Sequence, residues 1–196
     1  MKQYSNIRGF LISLIRYVGN GYKECQITYI PKSKEDKKRS ILKKIEKKYN
    51  TNLTQGQRQY RRVKGLCNYA ALNFNNIIIL LRTPGKSEYN SEKWENIINK
   101  EIQFNNLLSY KLYKDERGKL TIRLSKDSLR AFNYYIEASI KSKNIKNFNQ
   151  AITTLYKLHK VVRYRGFMLQ IKQILKRANE LQKKHGTNFK TPTFFS

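Results

Sequence analysis

Two short segments of the sequence place arginines around a tyrosine, an arrangement suited to binding nucleic acid. The first, residues 58–64, surrounds Tyr60 with the cations Arg58, Arg61, Arg62 and Lys64. The second is the tripeptide Arg163, Tyr164 and Arg165. Cationic side chains neutralise phosphates and release counterions, and a tyrosine ring can stack on an unpaired base or cover a sugar. For each tyrosine alone, the alternative is a ring that packs inward beneath solvated cations.

A predicted helix over residues 34–49 carries further cations on its outer face. At about 100° per residue its apolar side chains share one arc, and the opposite side holds Arg39, Lys43, Lys44 and Lys47. The pair Ser33 and Asp36 resembles a capping box at the start of this helix.

The last predicted helix has the same two-sided pattern. Its apolar residues cluster on one side, and a straight cationic ridge on the other is formed by Arg165, Lys172, Lys176 and Lys183. Both helices are therefore predicted to lie at the surface and to contact phosphates.

The overall charge favours a polyanionic partner. The chain has 196 residues with 41 Lys and Arg against 13 Asp and Glu, a net charge of +28. AT-rich coding would explain the abundance of Lys, Asn, Ile and Tyr, but it would not deplete the acids. Self-repulsion of this size is tolerated most easily when a polyanion supplies the counter-charge. The predicted partner is therefore nucleic acid, either DNA or structured RNA, and not a membrane; the oligomeric state stays open.

The charge is concentrated towards the two ends of the sequence. Residues 1–66 carry +13, residues 67–137 carry +3, and residues 138–196 carry +12. We therefore expect the nearly neutral middle to form a scaffold and the two ends to supply the binding surface.

A small acidic site is the only candidate for catalysis. Eight of the 13 acids lie in the neutral middle. Glu88 and Lys86 follow the predicted central strand, and Glu24 lies on the neighbouring first strand. Two or three carboxylate oxygens could hold Mg²⁺ for metal-assisted cleavage of a phosphodiester. The alternative is that all three are ordinary solvated charges.

The histidines and cysteines point to no metal site. His159 is expected to pack beside an apolar helix face, and its spacing from His185, Cys25 and Cys67 lacks any zinc-binding motif. Two cysteines make no disulfide framework, so the chain is predicted to be intracellular, cytoplasmic or organellar. The early apolar run, residues 9–15, is too short to span a membrane and is interpreted as part of a first core helix.

Several strands are predicted from alternation and from turn residues. Residues 22–30 form the first strand, residues 67–74 and 77–81 a hairpin around Asn75 and Asn76, and residues 108–112 and 120–124 a second hairpin. The unbroken apolar run at 77–81 indicates a strand covered on both faces. Residues 50–65 are interpreted as a polar loop or a short helix, and residues 91–100 as a short helix. Helical periodicity dominates beyond residue 125.

This order predicts an α+β fold with a small mixed sheet, in which a ferredoxin-like strand order is one arrangement, and a C-terminal helical layer. Residues 1–125 would form the sheet domain with the basic helix, residues 126–185 the helical layer of the same compact unit, and residues 186–196 a tail. An RRM proper is disfavoured because the strands lack its aromatic signature. Fold likeness of this kind supplies no function.

The chain also resembles a group of small basic proteins of bacterial plasmids and mobile elements. The resemblance rests on the segment 63–69 (Val-Lys-Gly-Leu-Cys-Asn-Tyr), the strand end 81–85 (Leu-Arg-Thr-Pro-Gly) and the helix over 170–179. In that group the strand ends in Thr-His-Gly and a second histidine follows, whereas here Pro84 and Ser87 or its neighbours stand in those places. The resemblance implies a mobile-element context and no catalytic residue.

The predicted function is therefore nucleic-acid binding, mainly to the phosphate backbone, in a mobile element or a ribonucleoprotein. One alternative is a Mg²⁺-dependent DNA endonuclease of such an element, the only case in which a cofactor is expected. Another is a ribosome-like structural RNA-binding protein. The sequence does not decide between DNA and RNA.

Overall fold

The strands form two separate sheets, one in each half of the chain. The computed structural model describes residues 2–104 and 108–190, and the chain divides into an N-terminal unit, residues 1–100, and a C-terminal unit, residues 101–196. The described residues form six α-helices and eight strands, with three of the helices at the C-terminal end. This confirms the predicted α+β class with a C-terminal helical region.

A five-stranded sheet forms the centre of the N-terminal unit. Its strands are β1 (Lys2–Tyr4), β2 (Glu24–Tyr29), β3 (Tyr69–Phe74), β4 (Ile77–Arg82) and β5 (Glu95–Asn96), and its helices are α1 (Ile7–Gly19), α2 (Lys38–Tyr49) and α3 (Gln55–Val63). The order is β1-β3-β4-β2-β5, with β1 parallel to β3 and the other neighbours antiparallel. Because β2 and β3 run parallel with β4 between them, the last four strands have the ferredoxin-like order.

Helices cover both faces of this sheet at its centre. On one face α1 packs against β3, and the ring of Phe10 lies 5.7 Å from that of Phe74. On the other face Leu42 of α2 packs with Ile30 and Ile78. Every residue from 77 to 81 is buried as a result, which confirms the interpretation of β4 as a strand covered on both faces.

The two helices between β2 and β3 begin differently from the prediction. The capping box at Ser33 and Asp36 is wrong, because residues 32–34 form a 3₁₀ turn and α2 starts only at Lys38, without a side-chain cap. The capping box lies instead at α3, where Thr54 and Gln57 exchange backbone-to-side-chain hydrogen bonds of 3.3 and 2.9 Å. Of the two alternatives for residues 50–65, a polar loop or a short helix, the structure has the helix, over residues 55–63.

The short helix predicted over residues 91–100 is wrong. The chain there forms the edge strand β5 and then a 3₁₀ turn, Ile97–Asn99. Glu95 pairs with Cys25 on the edge of β2, and the Ile97 amide donates to the Lys23 carbonyl at 3.0 Å. Pairing with an open strand edge and burial of Ile97 override the local helical pattern.

The C-terminal unit combines a small antiparallel sheet with three helices. The strands are β6 (Glu101–Gln103), β7 (Ser109–Lys114) and β8 (Leu120–Leu124), in that order, and the helices are α4 (Lys126–Lys141), α5 (Ile145–Val161) and α6 (Arg165–His185). The hairpin of β7 and β8 confirms the second predicted hairpin, and Asp115 closes its turn by accepting from the amides of Arg117 and Lys119.

This hairpin packs with the helices that follow it. The Gln170 side chain of α6 bonds both the amide and the carbonyl of Leu124, at 2.7 and 3.2 Å, and the Gly166 amide donates to Thr121. The division of the chain therefore falls after residue 100, where the sequence placed it at 125. In the predicted tail Phe189 packs against Phe148, and residues 191–196 lie outside the described residues.

Candidate nucleic-acid interface

The cations of residues 58–64 divide between internal and solvent-facing roles on α3. The half-buried Arg58 uses all three guanidinium nitrogens at 3.0 Å, donating to the carbonyls of Leu53 and Thr51 and to the Tyr22 hydroxyl. Arg61 Nε donates to the Cys67 carbonyl at 2.9 Å. Both arginines therefore help to hold α3 on the unit, a role that the sequence prediction did not include.

Tyr60, Arg62 and Lys64 face solvent. The Tyr60 side chain is 63% exposed, so the inward-packed alternative does not describe it. Lys64 Nζ lies 5.8 Å from the centre of the Tyr60 ring, and the Arg62 guanidinium donates a 3.4 Å hydrogen bond to Gln59 on the same helix. The end of α3 and the residue after it therefore expose an aromatic ring and two cations to solvent.

The outer face of α2 is arranged as the periodicity predicts. Leu42 and Tyr49 are buried against the sheet. The four cations of the opposite side are all exposed: Arg39, Lys43, Lys44 and Lys47.

A cleft between α1 and α3, the α1/α3 cleft, is lined by cations and, among the described residues, by no carboxylate. Its volume is about 890 Å³, and the cations along its wall are Lys2, Arg16, Arg58 and Arg62. Tyr17 and Tyr22 also line it, in edge-to-face contact with their centroids 5.2 Å apart. Of the four cations, Lys2, Arg16 and Arg62 are exposed and Arg58 is half-buried.

The end of α1 shapes one wall of this cleft. After Asn20 the backbone enters the left-handed region at Gly21, with φ of 93°, which glycine adopts without strain. The turn brings Tyr22 back towards α1, where its amide donates to the Tyr17 carbonyl. Burial raises the pKa of Tyr22, although Arg58 opposes the shift, so this hydroxyl stays neutral at physiological pH.

Sequence reasoning missed most of the α1/α3 cleft. It selected Arg58 and Arg62 but not Lys2, Arg16 or Tyr17. Periodicity shows which side chains of a helix face outward, but it does not show which other element lies beside them. The sequence therefore did not predict the contact between Tyr22 and Arg58, which are 36 positions apart.

A second cleft lies on the other side of α3, and we call it the tyrosine cleft. Its volume is about 480 Å³. Its cations come from three elements: Lys47 and Lys48 from α2, Arg61 from α3, and Lys86 from the loop after β4. Three tyrosines, Tyr49, Tyr69 and Tyr89, form its aromatic wall, with ring centroids 4.9–6.1 Å apart.

The hydroxyl groups of these tyrosines are all engaged. Tyr49 donates to Glu92 at 2.6 Å, Tyr89 donates to the Lys48 carbonyl at 2.8 Å, and Tyr69 shares a short hydrogen bond with Ser87. Burial, followed by the bond to Glu92, raises the pKa of Tyr49 to about 12. Burial also raises the pKa of Tyr69, so Tyr49 and Tyr69 carry no negative charge near neutral pH.

A backbone clasp between two loops positions Lys86. The Lys86 amide donates to the Gly65 carbonyl at 2.8 Å, and the Cys67 amide donates to the Lys86 carbonyl at 2.9 Å. Gly85 has φ of 139°, and a Cβ there would lie 2.8 Å from the Gly65 oxygen. Only glycine fits this position without displacing backbone.

The three residues predicted as a catalytic site do not line one cleft. Lys86 and Glu88 line the tyrosine cleft, but Glu24 does not. Glu24 instead accepts a 2.7 Å hydrogen bond from Arg82 Nε, and the Arg82 guanidinium stacks on Trp94 at 4.4 Å. Within residues 2–104 and 108–190, no group of three His, Cys, Asp or Glu side chains is placed to hold a metal ion.

The histidine and the cysteines named from the sequence occupy packed positions. His159 is half-buried on α5, and burial, followed by the charge of Arg163, lowers its pKa. Cys25 and Cys67 are buried free thiols. Burial raises the pKa of Cys25 to about 12 and also raises that of Cys67.

In the C-terminal unit, α6 presents the predicted ridge. Its apolar face is buried at Phe167, Ile171, Ile174, Leu175 and Ala178. The cations of the ridge are exposed: Arg165, Lys172, Lys176 and Lys183. Arg163 is exposed and Tyr164 is half-buried just before the helix, and Arg165 is paired with Glu116.

Charge divides evenly between the two units. The N-terminal unit has 21 Lys and Arg against 7 acids, and the C-terminal unit has 20 against 6, so each carries +14. The nearly neutral middle of the sequence is shared between the units and is not a separate scaffold.

Comparison of the chain with protein-family models, with curated proteins and with solved structures finds no match. The resemblance to small basic plasmid proteins therefore stays a prediction. Among the described residues, none of the helices combines the length and the apolar character needed to cross a bilayer.

Proposed function

We propose that the protein binds nucleic acid chiefly through the phosphate backbone, with the α1/α3 cleft as a principal contact. The observation that carries this proposal is a cleft of about 890 Å³ whose wall, in the part of the chain that the structure describes, holds four cations and no carboxylate. A surface that gathers like charges without acids is costly alone and becomes favourable beside a polyanion.

Three other surface features support the proposal. The exposed cations of α2 add positive charge to the N-terminal unit, and Tyr60 on α3 offers a ring for stacking on an unpaired base. The ridge of α6 gives the C-terminal unit a cationic surface of its own. Contacts of this kind are directed at phosphates, so the binding should depend weakly on sequence.

The decisive test is the salt dependence of binding to duplex DNA, single-stranded DNA and a structured RNA, followed by fluorescence anisotropy. The slope of log K against log salt should correspond to several neutralised phosphates. The double variant Arg16→Gln, Arg62→Gln should reduce the magnitude of that slope by about 1–2. A slope near zero for the unmodified protein would refute the proposal.

A matched control separates a local contact from a general loss of charge. Arg8 and Lys93 are exposed residues of the same unit outside both clefts, so Arg8→Gln with Lys93→Gln removes the same charge. Equal effects of the two double variants would remove the α1/α3 cleft from the proposal. Incubation of the same nucleic acids with the protein and Mg²⁺ tests the endonuclease alternative. That alternative requires discrete cleavage products.

A further inference from the structure

The tyrosine cleft has features of a small-ligand site that backbone binding does not explain. Its volume of about 480 Å³ falls within the range of roughly 300–1,000 Å³ typical of such sites. It combines an aromatic wall of three tyrosines with four cations, a composition suited to an anionic ligand that also carries a ring.

The cations of this cleft are well placed to receive a phosphate. Arg61 is anchored through Nε alone, and its two terminal nitrogens make no hydrogen bond within the described part of the chain. Lys86 is held by the backbone clasp, and neither its Nζ nor that of Lys47 is paired with an acid among the described residues. Three of the four cations, one from each element, therefore line the cleft without a paired carboxylate among the described residues, whereas Lys48 is paired with Glu92.

The aromatic wall adds a surface for a planar group. Tyr89 is half-buried, and its hydroxyl and backbone are fixed by bonds to Lys48, Ser87 and Trp94. A ring fixed in this way can receive a nucleobase without losing side-chain freedom on binding. Of the residues in 2–104 and 108–190, Glu88 is the only carboxylate that lines the cleft, and it is exposed.

We propose that the tyrosine cleft binds a nucleoside 5′-monophosphate unit, with the phosphate at Lys47, Arg61 and Lys86 and the base against Tyr89. The unit is either a free nucleotide or the phosphorylated end of a single strand. The proposal is independent of backbone binding at the α1/α3 cleft, because the two clefts lie on different sides of α3 and share no lining residue.

The test is calorimetric titration of the full chain at low salt with adenosine 5′-monophosphate, inorganic phosphate and adenosine. The monophosphate should bind at least tenfold more tightly than either of its parts. Lys47→Gln and Lys86→Gln should each weaken its binding by about three- to tenfold. Glu88→Gln should strengthen it by about two- to threefold, because the variant removes a repulsive charge.

Lys44→Gln is the matched control. Lys44 is exposed on the same helix as Lys47 but does not line the cleft, so its replacement should leave the monophosphate affinity unchanged. Equal effects of Lys44→Gln and Lys47→Gln, or equal affinities for the monophosphate and inorganic phosphate, would overturn the proposal. Tyr89→Leu should abolish the preference for the monophosphate over inorganic phosphate. If that variant does not fold, Lys47→Gln and Lys86→Gln still test whether the cleft binds the monophosphate.

Competition identifies the source of the ligand. A 5′-phosphorylated single-stranded oligonucleotide that displaces the monophosphate, where the unphosphorylated one does not, assigns the cleft to a strand end. Failure of both oligonucleotides to compete assigns it to a free nucleotide. The α1/α3 variant Arg16→Gln, Arg62→Gln should leave monophosphate binding unchanged, so either proposal can fail without the other.

Discussion

The Tyr49 hydroxyl donates a 2.6 Å hydrogen bond to the Glu92 carboxylate, joining the end of α2 to the loop that follows β4. Glu92 also accepts from Lys48 at 2.8 Å and from Gln26 at 3.0 Å. This carboxylate therefore links a helix, a strand and a loop behind the tyrosine cleft.

Glu92→Gln is expected to lower the free energy of unfolding of the N-terminal unit by about 1–3 kcal/mol at pH 7. Burial alone would raise the pKa of Glu92, but the bonds from Lys48, Tyr49 and Gln26 outweigh it and hold the pKa below its ordinary value. The stabilisation is then complete above about pH 4.3 and is lost as the pH falls through the folded-state pKa.

Urea unfolding at several pH values checks this prediction. The only tryptophan is Trp94, so its fluorescence follows the N-terminal unit. The variant should show a weaker dependence on pH below 4.3 than the unmodified protein. Glu88→Gln, at an exposed carboxylate, serves as the control and should change neither quantity.

Arg58→Ala is expected to destabilise the N-terminal unit by about 2–4 kcal/mol. The change leaves the Tyr22 hydroxyl and the carbonyls of Thr51 and Leu53 without their donor. Arg62→Ala, at an exposed position on the same helix, should change stability by less than about 0.5 kcal/mol. Similar losses for both variants, measured by Trp94 fluorescence in urea, would contradict the structural role of Arg58.

Two replacements of glycine by alanine should change the free energy of unfolding in opposite directions. Gly85→Ala places a Cβ 2.8 Å from the Gly65 carbonyl oxygen at a φ of 139°, and we expect a loss of about 2–4 kcal/mol. Gly56→Ala lies within α3 with open space around the new methyl group, and it should stabilise by about 0.5–1 kcal/mol. Thermal and urea unfolding of both variants give the comparison, and a stabilised Gly85→Ala would show that the clasp is not rigid.

The ridge of α6 should contribute to nucleic-acid affinity. Lys176→Gln with Lys183→Gln is expected to weaken binding to duplex DNA about three- to tenfold at low salt, and less at high salt, because phosphate contacts are screened. Lys146→Gln with Lys157→Gln removes two exposed charges from α5 and is the control. Equal losses of affinity would show that the ridge acts only through net charge.

The sequence predicts the parts of this fold that depend on local patterns. The hairpin around Asn75 and Asn76, the buried run of β4 and the two-sided α6 follow from periodicity and turn residues. The start of α2 does not follow from local patterns. Ser33 and Asp36 match the pattern of a capping box, but residues 32–34 form a 3₁₀ turn and the helix begins only at Lys38. Residues 91–100 also escaped prediction, because the open edge of β2 decides their conformation.

The candidate site was predictable only in its composition. The sequence identifies the cations of α2, α3 and α6 as candidates. It does not show that all three guanidinium nitrogens of Arg58 donate hydrogen bonds within the N-terminal unit. Nor does it show that Lys2 and Arg16 face Arg62 across a cleft, since those residues belong to different elements. Convergence of distant side chains is a property of tertiary packing, which no local pattern encodes.

The two buried thiols of the N-terminal unit are protected from thiol reagents while this unit is folded. Thiolates, not thiols, react with alkylating agents, and both Cys25 and Cys67 have raised pKa values in buried positions. All cysteines of the chain lie in this unit. The rate at which a thiol reagent modifies the protein therefore measures how often the N-terminal unit opens, and it does so without any label on the C-terminal unit.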